Sequence, residues 1–527
     1  MTSISAVNQA QLLVPKPATT TSAVNDGVVV ETVPSPAAVV ILGQETTVQT
    51  PVYSSRGLLP DTEVSLAWET EANDKVSTAM LSNFTSSSTH GRFQGLGAAL
   101  LAQLASSGSG FSQSLVKSNG KLDTAALSAA QSTLHTNADN SITLSIKTVS
   151  GATVNLSLTS QADGLAVQAN VTGGTLTDDE LAALADLADG FQSAIDGFTA
   201  QPPKLDLGKL TQYDTRAFSA VDLNAQLKVG DDSVQSLSLH ADSNTRSVTM
   251  SGPSGNLQMA VDMKNSAILG DADQQAKALQ GYLKQFDAAR QRGHGDAELM
   301  SLFTDTFTAL NSHYPDTINK ATAPQTVNSI RLTDVDHAML NGLADFTASV
   351  TQSVQASNPM QPDELDAFAY QVSQTSETKG TNQLNRTVEQ DQQSHLTASY
   401  HQALYPGSTL KLGSSSDSQN YAYYQIEDKT SSSLRMAYDK GRLIDASVSK
   451  STSHSTRVSK YEMGRLIEDT LTPEKTQEQK NYTHVLEAAL QEDRKSRLET
   501  GRSSLLDALA SIRDQVMQPA GSSKFGN

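Results

Sequence analysis

Residues 141–148 (SITLSIKT), 152–159 (ATVNLSLT) and 165–171 (LAVQANV) alternate apolar and polar side chains, and this stretch decides the fold. Alternation is the period of an antiparallel strand with one buried face. A second alternating group follows in VDLNAQLKV, VQSLSLH, RSVTMS and NLQMAVDM. Between the groups, TDDELAALADLADGFQSAIDGF has helical spacing, and Thr177 with Glu180 predicts a capping box at its start. We therefore predict an α+β fold in which this helix packs across a shared antiparallel sheet.

The length of 527 residues is too great for one ordinary core, so we expect two or three domains. Prolines near the start predict a disordered tail, and helical and strand-like periods follow one another along the rest. The predicted segments are a disordered tail (1–60), a helical segment (61–140), an antiparallel core domain with one central helix (141–270), a helical bundle or layer (271–358), a β-meander domain (359–475) and a C-terminal helical hairpin broken at Gly501 (476–527).

The chain has a net charge of −18, a pI of about 4.9 and no cysteine. An acidic chain repels phosphates, which argues against nucleic acid and anionic membrane surfaces as partners. Without cysteine, disulfides, thiolate metal sites and cysteine nucleophiles are excluded. A protein partner is compatible with this composition, and the oligomeric state is left open.

Targeting signals are absent from the sequence as we interpret it. Residues 1–11 lack a positive n-region, and the apolar run at 37–42 is too short for an h-region. No stretch approaches the roughly 20 apolar residues that a membrane-spanning helix needs. We therefore expect neither Sec export nor membrane insertion, and either the bacterial cytoplasm or leaderless secretion as the location.

The sequence contains no complete cofactor-binding motif. A dinucleotide site needs Gly-x-Gly-x-x-Gly between a strand and a helix. The nearest match is Gly95 and Gly97, with Leu100 at the third position, and no βαβ unit surrounds it. A NAD-dependent dehydrogenase is therefore disfavoured. No Gly-Lys-Ser/Thr occurs, so no phosphate loop is expected, and no cofactor is predicted.

Four histidine and aspartate positions are candidates for chemistry. His294 and Asp296 could perform acid–base catalysis as a loop pair, although an N-cap role for Asp296 and an exposed His294 are the simpler interpretation. His395 and His401 are candidate metal ligands, because a spacing of six brings both to one face of a strand. No third ligand lies near them in sequence. We therefore prefer two exposed strand histidines, and no metal is predicted.

A tyrosine cluster is the candidate binding surface. Tyr421, Tyr423, Tyr424 and Tyr438 lie in alternating segments, which places Tyr421 and Tyr423 on one face of a strand and Tyr424 on the other. Tyrosine is favoured at recognition surfaces because it combines apolar area with a polar tip. It is equally a good cross-strand partner in any sheet, and we prefer this structural interpretation.

Three segments carry a resemblance: RFQGLGAALLAQL (92–104), SITLSIKTVSGATVNLSL (141–158) and LTDDELAALADLADGF (176–191). As a whole rather than through a motif, the chain resembles long cysteine-free proteins of unassigned activity from pseudomonad-type Gram-negative bacteria. The resemblance brings no catalytic residues and implies a bacterial accessory or secreted protein.

Two functional hypotheses follow from the sequence. The first is a non-enzymatic interaction or structural protein, which could be exported without a leader peptide. It is favoured by the lack of catalytic motifs and by the wide polar sheets. The alternative is an enzyme of unknown reaction, with a site assembled from residues that are distant in sequence.

Overall fold

The computed structural model describes residues 65–118, 123–230, 233–314, 330–505 and 508–509. Contacts divide the chain into Met1–Asp61 and Thr62–Asn527, and every described residue belongs to the second unit. The tail predicted at 1–60 lies outside the described residues. Within them, strands form one antiparallel sheet with helices packed on it, in agreement with the predicted α+β class.

One sheet contains all the named strands. They are β1 (Ser65–Trp68), β2 (Phe111–Ser118), β3 (Asn140–Thr148), β4 (Thr153–Gln161), β5 (Gly164–Thr172), β6 (Phe218–Val229), β7 (Ser233–Asp242), β8 (Thr245–Gly252), β9 (Gly255–Asp262), β10 (Asp345–Gln352), β11 (Ala367–Asn382), β12 (Asn385–Ala403), β13 (Tyr421–Asp439), β14 (Arg442–Glu462) and β15 (Arg465–Asn481). Their order across the sheet is β1-β2-β5-β4-β3-β6, and from β6 each strand lies beside the next one in sequence as far as β15.

The helices begin at side-chain caps or tight turns. They are α1 (Lys75–Phe84), α2 (Thr89–Phe93), α3 (Leu96–Ser107), α4 (Thr124–Thr136), α5 (Asp178–Thr199), α6 (Gly208–Thr211), α7 (Ala272–Gly293), α8 (Ala297–Leu310), α9 (Asp334–Met339) and α10 (Thr483–Thr500). The predicted capping box of Thr177 and Glu180 is confirmed at the start of α5. In the parts of the chain that the structure describes, no helix is both long enough and apolar enough to cross a membrane.

The two faces of the sheet differ in what covers them. We call one of them the helix face. There, alternate strand residues such as Leu144, Leu223 and Leu257 form the main core together with residues of α3, α5, α7 and α8. Burying a leucine or phenylalanine side chain contributes about 1.5–3 kcal/mol, so this core dominates the stability. We call the other the open face. Helix α4 packs on it at one corner, over Val116 and Ala166.

The predicted packing of the Thr177 helix across the sheet is indirect. Helix α5 lies mainly on α3, and α3 lies on β4 and β5. The two helices approach closely at Gly97, where an added Cβ would stand 2.5 Å from Cδ1 of Ile195. Gly97 is therefore needed for the contact between α3 and α5.

The segment predicted as helical at 61–140 also contains two strands, β1 and β2. Strand β2 lacks clean alternation because both of its faces are covered. Leu115 belongs to the main core, whereas its neighbour Val116 packs beneath α4. A strand buried on both sides loses the period-two signal.

The prediction of a purely helical block at 271–358 is wrong at its end. In residues 335–354 (VDHAMLNGLADFTASVTQSV) only the part that belongs to α9 (Asp334–Met339) is helical, and Asp345–Gln352 is β10. Gly342, with a φ of 81°, lies between them in the left-handed region. Because β10 pairs with both β9 and β11, it joins the strands of the predicted core domain (141–270) and those of the predicted β-meander domain (359–475) into one sheet.

The C-terminal prediction is corrected in the same way. The hairpin expected from residue 476 begins later, because β15 extends to Asn481 and pairs with β14 throughout. Helix α10 then ends at Gly501, whose φ of 72° provides the predicted break. Most of the second arm lies outside the described residues.

Candidate functional site

The open face carries two neighbouring rows of side chains, polar at every position except Ala260, that run across the sheet to β15, Row 1 from β2 and Row 2 from β5. The strand registers place these residues directly opposite one another from strand to strand. Row 1 is Ser112, Gln168, Ser157, Thr143, Asn224, Ser238, Thr249, Gln258, Ser349, Gln371, His395, Lys429, Ser453 and Lys475. Row 2 is Asn170, Asn155, Ser145, Asp222, His240, Ser247, Ala260, Thr347, Ser373, Gln393, Ser431, Ser451 and Gln477.

We call the two rows together the polar track. Every one of its residues is exposed or half-buried, whereas their neighbours in sequence are mostly buried on the helix face. Adjacent strands lie about 4.8 Å apart, so Row 1, which runs from β2 to β15, is roughly 60 Å long. No single segment of sequence contains more than two or three members of the track.

Two concavities of the open face lie on the track. The larger, about 700 Å³, is formed by both rows between β9 and β14, and we call it the trough; its lining includes Gln371, Ser373, Gln393, Lys429 and Ser431. The smaller, about 220 Å³, lies on the same rows where they cross β3, β4 and β5. Because neighbouring strands are rotated relative to one another, a wide sheet curves and can form such hollows.

Hydroxyl and carboxamide groups dominate the chemistry of the track. Some of them hold one another in place: Ser238 donates to Oδ1 of Asn224 at 2.8 Å, and Ser145 donates to Oδ1 of Asn155 at 2.9 Å. In the trough, Nζ of Lys429 lies 2.6 Å from Oε1 of Glu427. The track therefore offers many neutral donors and acceptors and little unpaired charge.

Row 2 contains one ion-paired histidine. His240 Nδ1 lies 2.6 Å from Asp222 Oδ1, and its Nε2 lies 3.4 Å from Asp242 Oδ2. Burial alone would lower the pKa of His240, but the hydrogen bonds and charges of the two aspartates outweigh burial and raise it. The two carboxylates therefore favour the protonated form of His240 and balance the charge that it would add to the track.

A second histidine on the open face, His401, stands at the centre of a separate cluster. Its Nδ1 lies 2.7 Å from Asp366 Oδ1, and its Nε2 lies 3.3 Å from Glu364 Oε2. Tyr421 donates to the same oxygen of Glu364 at 2.7 Å, and the Tyr421 ring stacks on Tyr461. We call these five residues the His401 cluster.

The His401 cluster fastens the connection between β10 and β11 to the open face. Ser399 and Tyr423 both donate to the carbonyl oxygen of Leu365, at 2.6 and 2.9 Å. Burial alone would lower the pKa of His401, but its two carboxylate partners raise it to about 9. The exposed fraction of the His401 side chain is 0%, so the imidazole is a structural cation and cannot reach a substrate.

The candidate metal ligands do not come together. His395 and His401 lie on one face, as predicted, but six residues of strand separate them by about 20 Å. His395 Nε2 lies 3.5 Å from Oε1 of Glu427, and His401 has its own carboxylates. Among the described residues, no group of three or more His, Asp or Glu side chains is arranged to hold a metal ion.

The candidate catalytic residues have separate structural roles. Asp296 is the N-cap of α8 and accepts from the amide of Leu299 at 2.8 Å. His294 is the left-handed residue that ends α7, with a φ of 54°, and its ring stacks on Tyr400 at 3.9 Å. Burial lowers the pKa of His294. The structure thus shows the cap predicted for Asp296 and no hydrogen bond or ion pair between these two side chains.

The tyrosines divide between the two faces as the alternation predicted. Tyr421 and Tyr423 are on the open face, where the β10–β11 connection buries both side chains. Tyr424 is on the helix face and stacks on Tyr400 at 4.9 Å. Tyr438 donates to Oδ1 of buried Asp336 at 2.7 Å. These contacts occupy the phenol groups of Tyr421, Tyr423 and Tyr438, and the four rings do not form one surface.

Sequence reasoning missed Glu364, Asp366 and Tyr461 as partners of His401, and it missed the polar track entirely. The only local signal was the acidic segment DELD before β11. The track has no signal within one strand, because its continuity depends on the register of every neighbouring pair.

The chain was compared with protein-family models, with curated proteins and with solved structures, and no match was found in any of the three. No residue role is therefore carried over from a relative. The polar track and the His401 cluster stand on their own contacts, burial and charges, and no family is assigned to the chain.

Proposed function

We propose that this chain is a non-enzymatic interaction protein that binds an extended partner along the polar track. The observation that supports this most strongly is the continuity of the two rows, Row 1 from β2 to β15 and Row 2 from β5 to β15. A row of small polar side chains on a rigid sheet presents regularly spaced hydrogen-bonding groups. The helix face supplies the main core, whereas α4 and the β10–β11 connection cover only parts of the open face, and the polar track remains accessible.

The low charge of the track supports a binding role over a merely solvated surface. Antiparallel sheets commonly have one solvated face, and long charged side chains are usual there. This chain is strongly acidic overall, yet the only ionisable members of the track are His395, Lys429, Lys475, Asp222 and His240. Short neutral side chains also allow a ligand to approach the sheet closely.

The environment of the histidines argues against an acid–base enzyme. His401 gathers carboxylates from distant segments, as the alternative hypothesis requires, but its ring is buried and both nitrogens have partners. His294 and Asp296 serve helix ends. A general acid or base must reach a proton of the substrate, which the fully buried ring of His401 cannot do.

A bulky residue in the trough should weaken binding. Ser431 is exposed in Row 2, and Ser431→Trp would place an indole over the neighbouring hydroxyl and amide groups. We expect immobilised Ser431→Trp protein to retain about tenfold less of any partner, because blocking one or two net hydrogen bonds costs about 1.4 kcal/mol. The assay compares material retained from extract and culture supernatant of the producing cells.

Ser301→Trp is the matched control. Ser301 is exposed on α8, which packs on the helix face behind the trough. The proposal requires that the native chain and Ser301→Trp retain the same component and that Ser431→Trp loses it. Equal retention by all three proteins, or no component retained by the native chain, would contradict the proposal.

A further inference from the structure

We infer that the ligand of the polar track is an uncharged, hydroxyl-rich chain, namely a neutral oligosaccharide or polysaccharide, lying across the strands. This inference rests on the proposed function and specifies its partner. Three properties of the track carry it: its neutral hydrogen-bonding groups, its lack of apolar side chains other than Ala260, and its direction across the sheet.

The ionic contacts of the trough favour an uncharged ligand. Lys429 lies 2.6 Å from Glu427, and His395 lies 3.5 Å from the same carboxylate oxygen. The carboxylate of Glu427 is thus close to both basic side chains. A polyanion would have to displace Glu427 and approach an acidic protein, whereas a polycation would meet Lys429 and His395. Hydroxyl groups can donate to and accept from the surrounding serine and glutamine side chains without breaking these pairs.

The composition of the rows disfavours an apolar ligand or an ordinary protein surface. Apart from Ala260, neither row, as described across β2–β15, contains an apolar side chain. Pockets for small molecules are lined mainly by apolar and aromatic residues, and the centres of protein interfaces are enriched in Tyr, Trp, Phe, Met and Arg. The track has the opposite composition, which matches a ligand whose surface is itself mostly hydroxyl groups.

The geometry favours a chain over a monomer. The trough crosses six strands, from Gln258 on β9 to Ser453 on β14, and therefore spans roughly 24 Å. Equivalent groups recur at each strand, so a polymer with repeating hydroxyls can make the same contact several times. Binding should consequently strengthen with the length of the chain until the trough is filled.

The test is calorimetric titration of the full chain with neutral hexasaccharides, namely maltohexaose, cellohexaose, laminarihexaose and chitohexaose, and with the matching disaccharides. Hexagalacturonate serves as the charged control. We expect at least one neutral hexasaccharide to bind about tenfold or more tightly than its disaccharide and than hexagalacturonate. Gln393→Ala, which removes a carboxamide without adding bulk, and Ser431→Trp should each weaken that binding, about tenfold for Ser431→Trp, and Ser301→Trp should not.

The outcomes separate this inference from the proposed function. If no neutral hexasaccharide binds, or if binding is unchanged in both Gln393→Ala and Ser431→Trp, the inference is overturned. If none of the sugars binds but the native chain retains another component that Ser431→Trp does not retain, the proposed binding function stands and only the inference about oligosaccharides is wrong. Preferential binding of hexagalacturonate would also overturn the inference, because it would identify a polyanion as the ligand.

Discussion

Replacing Arg386 by methionine is expected to lower the free energy of unfolding by about 3–5 kcal/mol, the usual cost of leaving one partner of a buried ion pair alone. The exposed fractions of the Arg386 and Asp336 side chains are 4% and 0%, and Nη2 lies 2.7 Å from Oδ2. The guanidinium also lies 3.7 Å from the centre of the Tyr438 ring. The substitution would leave the Asp336 carboxylate buried without a countercharge. Urea unfolding followed by circular dichroism measures the change.

Arg435→Met provides the matched control. Arg435 pairs with Glu389 at 3.4 Å, but their side chains are 55% and 34% exposed. Exposed pairs of this kind contribute less than about 1 kcal/mol. Equal shifts of the urea midpoint in the two variants would show that the Arg386–Asp336 pair is not buried as the structure has it.

The second large effect is a pH-dependent contribution of His401 to stability. The pKa of this histidine is about 9 in the folded chain and ordinarily 6.5. Because the folded chain holds the proton of His401 more tightly than the unfolded chain does, protonated His401 stabilises the fold. This stabilisation is complete below pH 6.5 and is lost as the pH rises through 9. The shift corresponds to about 3 kcal/mol at most, and we expect about 2 kcal/mol because Glu364 and Asp366 remain partly exposed.

The measurement compares native protein with His401→Gln in urea at several pH values. The difference in unfolding free energy should be about 2 kcal/mol at pH 6 and should shrink towards zero by pH 10. On the acid side, the pKa values of Glu364 and Asp366 are lowered in the folded chain, so their contribution is lost as the pH falls below their ordinary values of 4.5 and 3.8. His395→Gln, on the same strand and face, is the control, and a pH-independent difference for His401→Gln would contradict the account.

Individual strands were largely predictable because local alternation reports one buried face. This held for β3–β9 and for β13 and β14. It failed for β2, which is covered on both faces, and for β10, whose apolar residues follow the short helix α9 closely enough to continue a helical pattern. Capping was also predictable, since Thr177 and Glu180 are only three residues apart.

The assembly of the strands into one sheet could not be predicted from the sequence, because local patterns do not specify which strands pair. The first strand group and the meander looked like separate domains until β10 was placed between β9 and β11. The same limit hid the functional features. His401 meets Glu364 and Asp366 only through the β10–β11 connection, and the two rows of the polar track exist only in the assembled registers.

The most direct test of binding along the polar track uses the absence of cysteine, since Ser431→Cys and Ser301→Cys each create a unique labelling site. A polarity-sensitive fluorophore is attached to each variant, and the retained component or the neutral hexasaccharide is added. The account predicts that emission shifts at position 431, in the trough, and is unchanged at position 301, on α8. A shift at position 301 alone, or no shift at either position while binding persists, would contradict it.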